Sequence, residues 1–324
     1  MRILVVGGAG YIGSHTVYEL IDANHEVIIF DNLSTGFKDN IHPKALFYQG
    51  DLLNKTDIEK VFQKEKIDIV MHFAAKIVVP ESVEKPLDYY ENNVTGSIQL
   101  LNAMRKHDVK NIVFSSTASV YEDDGSVCDE NHALAPKHPY GESKKMVEDI
   151  IKNCEKAFGL KHVIFRYFNV AGTHPDAFIG QKIDHLTHLI PVAIKKSIES
   201  KPLMIYGNDY NTKDGTCLRD YIHVVDLAKA HVCAIDYLLT FNLSDIFNLG
   251  SGKGFTVFEV AKEVDKRFGL SFEVTERRKG DPAVLVASIE KAKSILKWSP
   301  MNSLNQMIES EYAFRSKVLE KNHN

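Results

Sequence analysis

The sequence predicts an α/β protein: a doubly wound parallel sheet followed by a smaller α/β unit. Three observations predict it. Residues 2 to 6, Arg2-Ile3-Leu4-Val5-Val6, form an apolar run of the kind expected for a strand buried on both faces. That run enters Gly7-Gly8-Ala9-Gly10-Tyr11-Ile12-Gly13, and a helical pattern continues from Ser14 to about Ala23. Strands and helical patterns then alternate up to Tyr167, as they do when helices cover both faces of a parallel sheet.

Strand, glycine turn and helix together make a phosphate-binding context, because the backbone approaches closely and the helix start offers free N–H groups. Two registers fit the glycines: Gly8, Gly10, Gly13 and Gly7, Gly10, Gly13. Glu26-Val27-Ile28-Ile29-Phe30 is the second strand, ending at Asp31-Asn32. Asp31 stands at the distance where a carboxylate binds an adenine ribose 2′-OH and repels a 2′-phosphate, which favours NAD over NADP. Leu46-Phe47-Tyr48-Gln49-Gly50 is the third strand, with Asp51 at its end. A helical pattern over 57–64 leads to a fourth strand over 67–73 and the small-residue turn Ala74-Ala75. Residues 86–106 read as one long helix carrying Asn92-Asn93. Asn111-Ile112-Val113-Phe114 is the fifth strand, ending in Ser115-Ser116-Thr117, and residues 161–167 are the sixth. Ligands of such sheets bind beyond the strand C-termini, where these ends lie.

The pattern changes after Phe168-Asn169-Val170-Ala171-Gly172. Residues 186–200 look helical, and a second, smaller domain is expected over 171–324, with 1–170 as the dinucleotide-binding domain. A helix from Val224 to Leu239 and a strand from Ile246 to Leu249 are expected to return residues 223–250 to the first domain. Arginines in the loops around Arg219 and Arg278 suit a diphosphate, through bidentate hydrogen bonds. An amphipathic helix begins at Leu304.

Composition narrows the class. The chain has 324 residues, 44% hydrophobic and 25% charged, with net charge −4 and no basic run, so a nucleic-acid surface is not indicated. No apolar stretch is long enough to span a bilayer, and the start is too short for a signal peptide. Cys128, Cys154, Cys217 and Cys233 are widely spaced, as expected of reduced thiols in a cytoplasmic protein. His185 and His188 are three apart but have no accompanying metal-ligand cluster, so no metal is expected.

The chemistry concentrates in His138-Pro139-Tyr140-Gly141-Glu142-Ser143-Lys144. Pro139 suits the first position of a helix, which places Tyr140 and Lys144 on one helix face. A phenol titrates near ~10, and an ammonium beside it favours the phenolate. The spacing thus describes a tyrosine able to take a proton from an alcohol, with a strand-end hydroxyl facing the same oxygen.

The glycine turn, Asp31-Asn32-Leu33, residues 115–121 and Tyr140-x-x-x-Lys144 together resemble the extended short-chain dehydrogenase/reductase family, whose fold is a Rossmann-like doubly wound sheet with a C-terminal substrate domain. Arg166-Tyr167-Phe168-Asn169, Gly207-Asn208-Asp209-Tyr210, Arg219-Asp220-Tyr221-Ile222-His223 and Asn248-Leu249-Gly250 narrow the likeness to its UDP-glucose 4-epimerase branch.

The resemblance implies that Tyr140 takes the proton of the sugar 4-hydroxyl while Thr117 shares its hydrogen bond. Lys144 would hold the nicotinamide ribose and depress the Tyr140 pKa. Hydride leaves C4 for a tightly held NAD+ and returns to the other face of the 4-keto sugar. It places NAD against Gly7, Gly10, Tyr11, Ile12, Gly13, Asp31, Asn32, Leu33, Ser34, Thr35, Gly36, Asp51 and Leu52. Phe73, Ala74, Ala75, Lys76, Ile77, Asn92 and Phe168 complete that set, with Thr117, Tyr140 and Lys144. It places the UDP-sugar against Thr117, Tyr140, Asn169, His188, Leu189, Tyr206, Arg219, Arg278, Asp281 and Val284.

Some positions differ from familiar members. Thr117 replaces a common Ser, His188 a common Asn, and Lys76 is displaced by one residue. Val284 stands near a position where some members carry a bulky Tyr, which leaves room for an N-acetyl group at sugar C2 and makes UDP-GlcNAc an expected second substrate. A 4,6-dehydratase would carry Asp-Glu after the strand-end Thr; here Ala118-Ser119 stand in that place. Epimerases of UDP-glucuronate or UDP-pentoses, and a non-catalytic NAD-binding regulator, stay open at this point. Dimers are common in the family, so residues 86–106 and 143–158 are the expected interface of a homodimer.

Overall fold

The structure, a computed structural model, describes the chain apart from residues 182–185, 279, 280 and 324, and gives residues 321–323 by their backbone. In chain order the strands are β1 (Arg2–Val6), β2 (Glu26–Asp31), β3 (Leu46–Gln49), β4 (Ile69–His72), β5 (Asn111–Thr117), β6 (Val127–Cys128) and β7 (Lys161–Tyr167). Then come β8 (Asn169–Ala171), β9 (Leu203–Tyr206), β10 (Leu218–His223), β11 (Asp245–Leu249), β12 (Gly254–Thr256), β13 (Phe272–Thr275) and β14 (Val284–Ala287). The helices are α1 (Tyr11–Asp22), α2 (Lys55–Lys64), α3 (Val79–Glu84), α4 (Pro86–Tyr89), α5 (Gly96–Lys106) and α6 (Pro139–Phe158). After them come α7 (Leu189–Ile198), α8 (Val224–Phe241), α9 (Val257–Phe268) and α10 (Leu304–His323).

Seven parallel strands form one sheet in the order β11-β7-β5-β4-β1-β2-β3. The chain winds outward from β1 to β3, then returns to β4 on the other side of β1. That reversal opens a crevice at the C-terminal ends of β1 and β4, the place where such sheets bind ligands. Successive side chains of a strand point to opposite faces. Ile3 and Val5 join Val17, Leu20, Leu227 and Ile235 of α1 and α8 in one core layer. Leu4 and Val6 join Ile58, Leu100, Val147 and Ile151 of α2, α5 and α6 in the other. Each such side chain contributes roughly 1.5–3 kcal/mol by its burial, and a one-residue slip would exchange the two layers, so register is firmly set.

The rest of the chain builds smaller sheets. One has the order β12-β10-β14-β6, with β8 also on β10, and β9 pairs with β13. Their core gathers Ile190, Ile194, Leu203, Ile205, Val260, Val264, Met307 and Ile308. The expected strand over 246–249 is β11, and it lies at the edge of the large sheet beside β7. Among the described residues, no helix is long and apolar enough to cross a membrane.

Two differences from expectation have physical reasons. The helix expected over 86–106 is interrupted by a π-turn, Tyr90–Thr95, between α4 and α5. A π-turn adds a residue to the helical repeat and rotates the succeeding turns. The sequence reading also does not predict α3, β6, β8, β9, β10, β12, β13, β14 or α9. The short strands carry too few residues to show an alternating pattern. The start of α9 does carry a signal: Thr256 and Glu259 form a capping box.

Candidate active site

The phosphate turn is shaped by close backbone approach. Gly7 has φ 84°, and a Cβ there would stand 2.6 Å from Ala74 N; a Cβ on Gly13 would stand 2.1 Å from Gly7 O. At these two glycines the backbone of the turn packs against itself and against the start of the loop after β4. Gly10 starts α1 with no side chain capping it and no acidic residue in the first turn. The N–H groups at that end are therefore directed to an anion such as a pyrophosphate. Tyr11 donates its phenol O–H to Gly172 O at 2.5 Å, and burial raises that phenol well above its usual pKa. Ile12 packs against the sheet core.

At the end of β2, the buried Asp31 accepts from Ala9 N at 2.9 Å and Leu33 N at 2.8 Å. Burial raises its pKa, and the two backbone donors oppose the rise. Leu33 is held at φ 61°, a left-handed conformation that costs energy away from glycine. Asn32 accepts from Ser34 N and donates to Asp51 Oδ2 at 2.9 Å, while Asp51 Oδ1 accepts from Leu53 N. A Cβ on Gly36 would meet Ala9 Cβ and Asp31 Oδ1 at 2.9 Å, so residues 31–36, Thr35 included, wrap tightly over the turn. Leu52 is buried beside this loop in the α2–α5 layer.

The β4 end is built around a residue the sequence reading passed over. Phe73 and Ala74 donate to Val6 O, and Ala75, Lys76 and Ile77 continue from there. The buried Asn93 accepts from Lys76 N at 2.8 Å and donates to Lys76 O at 3.1 Å and Ser143 Oγ at 3.0 Å. Ser143 in turn donates to Tyr140 O at 2.7 Å. Asn93 thus joins the loop after β4 to the helix of Tyr140. Asn92, expected to touch the cofactor, donates to Asn93 Oδ1 at 2.9 Å. The Lys76 ammonium turns to Asp88 at 3.6 Å.

The reacting group is local to α6 and β5. His138 caps α6 by accepting from Gly141 N, Pro139 occupies the first turn, and Gly159 closes the helix at φ 77°. The half-buried Tyr140 hydroxyl faces Thr117 and is pushed up to about 12 by burial, with Thr117 acting against the rise. The buried Lys144 Nζ donates to Ser115 O at 2.8 Å and lies 4.9 Å over the Phe114 ring. Burial pushes this ammonium down to about 7, and Glu148 opposes it. The expectation that Lys144 lowers the Tyr140 phenol is therefore not met by the chain alone: burial acts on both groups, and Nζ is committed to Ser115 O. Low dielectric also magnifies any charge later placed beside the pair.

The substrate side is assembled by strand pairing. Thr117 pairs with Tyr167, so Phe168 follows at the same sheet edge and packs with Ala118, and Asn169 starts β8 beside β10. Asn169 donates to Asp220 O at 2.9 Å, next to Arg219, whose Nη1 donates to Leu218 O. Tyr206 ends β9, and the Arg278 guanidinium lies 3.8 Å over its ring; Asp281 N donates to Arg278 O. His188 precedes Leu189 at the start of α7, and burial lowers its pKa. Val284 pairs with Leu218, and Leu285 with Arg219. Leu285 packs with Ala118, Val120, Tyr121 and Phe168, so it is Leu285, on the opposite strand face from Val284, that borders the Thr117 side. His185 lies outside the described residues. Among the described residues, no three His, Cys, Asp or Glu side chains gather as a metal site.

A model of the NAD dependent epimerase/dehydratase family matches residues 3–250. The chain belongs to that family. The UDP-glucose 4-epimerase of Lacticaseibacillus casei is 46% identical over 317 residues, 96% of each chain. The UDP-glucose 4-epimerase of Bifidobacterium longum, solved in complex with NAD+ and UDP, superposes with TM-score 0.90 at 36% identity, over 98% of each chain. The UDP-Glc/GlcNAc 4-epimerase of Campylobacter jejuni superposes with TM-score 0.86 at 40% identity, over 98% of this chain and 99% of the other. In this family setting, the uncapped α1 start, the Asp31 carboxylate and the crevice between β1 and β4 suit NAD.

Proposed function

We infer that this chain interconverts UDP-galactose and UDP-glucose by epimerisation at C4 with bound NAD. The observation that carries the reading is Tyr140 against Thr117, with Lys144 one turn on, at the C-terminal edge of a dinucleotide-binding sheet. Residues 1–170 with 223–250 act as the cofactor half, and the remainder of 171–324 as the substrate half.

When bound, NAD+ supplies reversible oxidation at the sugar C4 and is unchanged over a turnover. Tyr140 acts as its phenolate, which the Lys144 ammonium and the positive charge of bound NAD+ would stabilise: Oη takes the proton of the 4-hydroxyl as C4 is oxidised and gives it back as C4 is reduced. Thr117 Oγ1 shares the hydrogen bond to that oxygen and fixes its position. Glycine-turn N–H groups, Asp31 and the loop after β4 hold the cofactor, and Asn93 keeps that loop in step with Tyr140. Arg219 and Arg278 neutralise the UDP diphosphate, Asn169 orients the sugar, and Tyr206 with Leu189 borders the base.

The sugar's C2 side is bounded by Leu285 more than by Val284, and Leu285 is smaller than a tyrosine, so an acetamido group is accepted. Assay with UDP-GlcNAc checks this; absence of turnover rejects it. Val83, Leu87, Ile98 and Met146 are exposed on α3 to α6, and this apolar strip is the interface of a homodimer. The free cysteines suit a cytoplasmic enzyme. The direct test of function is incubation with UDP-galactose and no added cofactor, then product separation. Appearance of UDP-glucose supports the reading; binding with no product sinks it.

A further inference from the structure

One turn beyond Lys144 on the same face of α6 lies Glu148. Glu148 is fully buried, and so is Arg166 on β7. Arg166 Nε and Nη2 donate to the two Glu148 oxygens at 3.1 and 2.7 Å, a bidentate pair. Ser116 Oγ donates to the same carboxylate at 2.5 Å. On its other side, Arg166 Nη1 donates to Tyr121 Oη at 3.0 Å, and Tyr121 donates to Asn248 Oδ1 at 2.6 Å. Asn248 Nδ2 donates to Cys128 O at 3.0 Å. Residues of α6, β5, β7, β11 and β6 therefore meet around one carboxylate. Arg166, Tyr121 and Asn248 are motif residues to which no cofactor or sugar contact is assigned.

We propose that Glu148 is a positioning residue of the reaction: clamped by Arg166, it locks the strand end that bears Thr117 and presents a fixed negative charge to Lys144. A buried ion pair adds little net stability, because desolvation offsets its attraction. What this pair supplies is geometry. Glu148 grips Ser116, while Lys144 grips the neighbouring Ser115 carbonyl. The two α6 side chains thus hold β5 by adjacent residues, immediately before the Thr117 hydroxyl. Burial pushes the Lys144 ammonium down, and Glu148 acts against it.

Other titratable groups face this pair. His72 on β4 is pushed down to about 3 by burial and by Lys144, so it brings no charge of its own. Tyr140 is a neutral phenol in the chain alone. Lys152 Nζ lies 3.7 Å from Glu148 Oε2, and His162 on β7 is pushed down to about 4 by burial. Glu148 is the negative group that acts on Lys144.

The inference rests on the 4-epimerase reading, and the experiment separates the two. Glu148→Gln alone would strand the Arg166 charge, so the deciding variant is Glu148→Gln with Arg166→Gln, which removes both charges together. Melting and circular dichroism report its fold. With UDP-galactose, kcat is expected to fall at least about tenfold while KM moves less than about twofold, as for misplacement of the reacting groups. Of the two charges removed, that of Glu148 is the one acting on Lys144, so its loss favours neutral Lys144 and the alkaline limb of the kcat profile moves to lower pH. Ser116→Ala keeps the ion pair and frees the strand end: kcat falls and the alkaline limb stays. A folded double variant with parental kcat and an unmoved limb overturns the inference. Should the double variant not fold, parental kcat in Ser116→Ala overturns it. A parent protein that does not turn over UDP-galactose refutes the underlying reading instead.

Discussion

On the proposed reading, the two halves of the molecule would bind in different ways. In the cofactor half, seven parallel strands share one sheet, and the binding surface is mostly backbone: a glycine turn, a helix start, a loop held by Asp31. In the substrate half, smaller sheets bring together side chains from distant segments, such as Tyr206 under Arg278. Backbone surfaces depend on what cannot be added, such as a Cβ on Gly13. Side-chain surfaces depend on what cannot be removed. Damage to the first should therefore be structural, and damage to the second should be confined to affinity.

The sharpest way to test that contrast begins where the halves meet. Tyr140→Phe removes the proton acceptor and leaves the packing, so kcat should fall about 10²–10⁴-fold with the melting temperature unchanged; parental turnover would end the proposal. Next, Gly13→Ala forces a Cβ to 2.1 Å from Gly7 O. Overpacking of this kind costs about 1–3 kcal/mol, and denaturant unfolding should show it together with loss of bound NAD. A variant as stable as the parent would break the comparison. Arg278→Ala should raise KM for the UDP-sugar about tenfold, the loss of one charge-assisted contact, with stability and NAD content unchanged.

The effect spread over most residues concerns acid. His15 and His72 are pushed down to about 3, and His231 to about 4, all by burial. A histidine with lowered folded pKa binds fewer protons folded than unfolded, so stability is complete above about 6.5 and is lost as pH falls toward the folded value. Each contributes a slope of up to about 1.4 kcal/mol per pH unit in that window. Urea midpoints compared at two pH values on either side of its upper edge measure it, and a flat response would refute the assignment. All three residues lie in the cofactor half, so its sheet should loosen first.

Much of the cofactor half was legible because its signals are local. The apolar run of β1, the glycines and the Pro139-Tyr140-x-x-x-Lys144 spacing each lie within one element or its edge. Asn93 was not legible: the doublet Asn92-Asn93 leaves the choice open, and the π-turn decides which side chain turns inward. Leu285 was missed for a related reason, since one step along β14 changes the face. The Val127–Cys128 strand pairs with β14 far along the chain, and no short-range pattern announces such a partner. Glu148 reads in sequence as an ordinary helix carboxylate; only the arrival of Arg166 from β7 gives it a role.

The Tyr11 phenol has a consequence for how the protein would be found in a cell. It fastens the turn beneath the dinucleotide to Gly172, the residue just past β8, where the substrate half begins. With a dinucleotide on that turn, its release would also have to break this bond, worth about 1 kcal/mol net, whereas turning a sugar over inside the cleft would not. On the proposed reading the isolated protein is expected to carry some of its dinucleotide with it, which the nucleotide content of the purified protein checks.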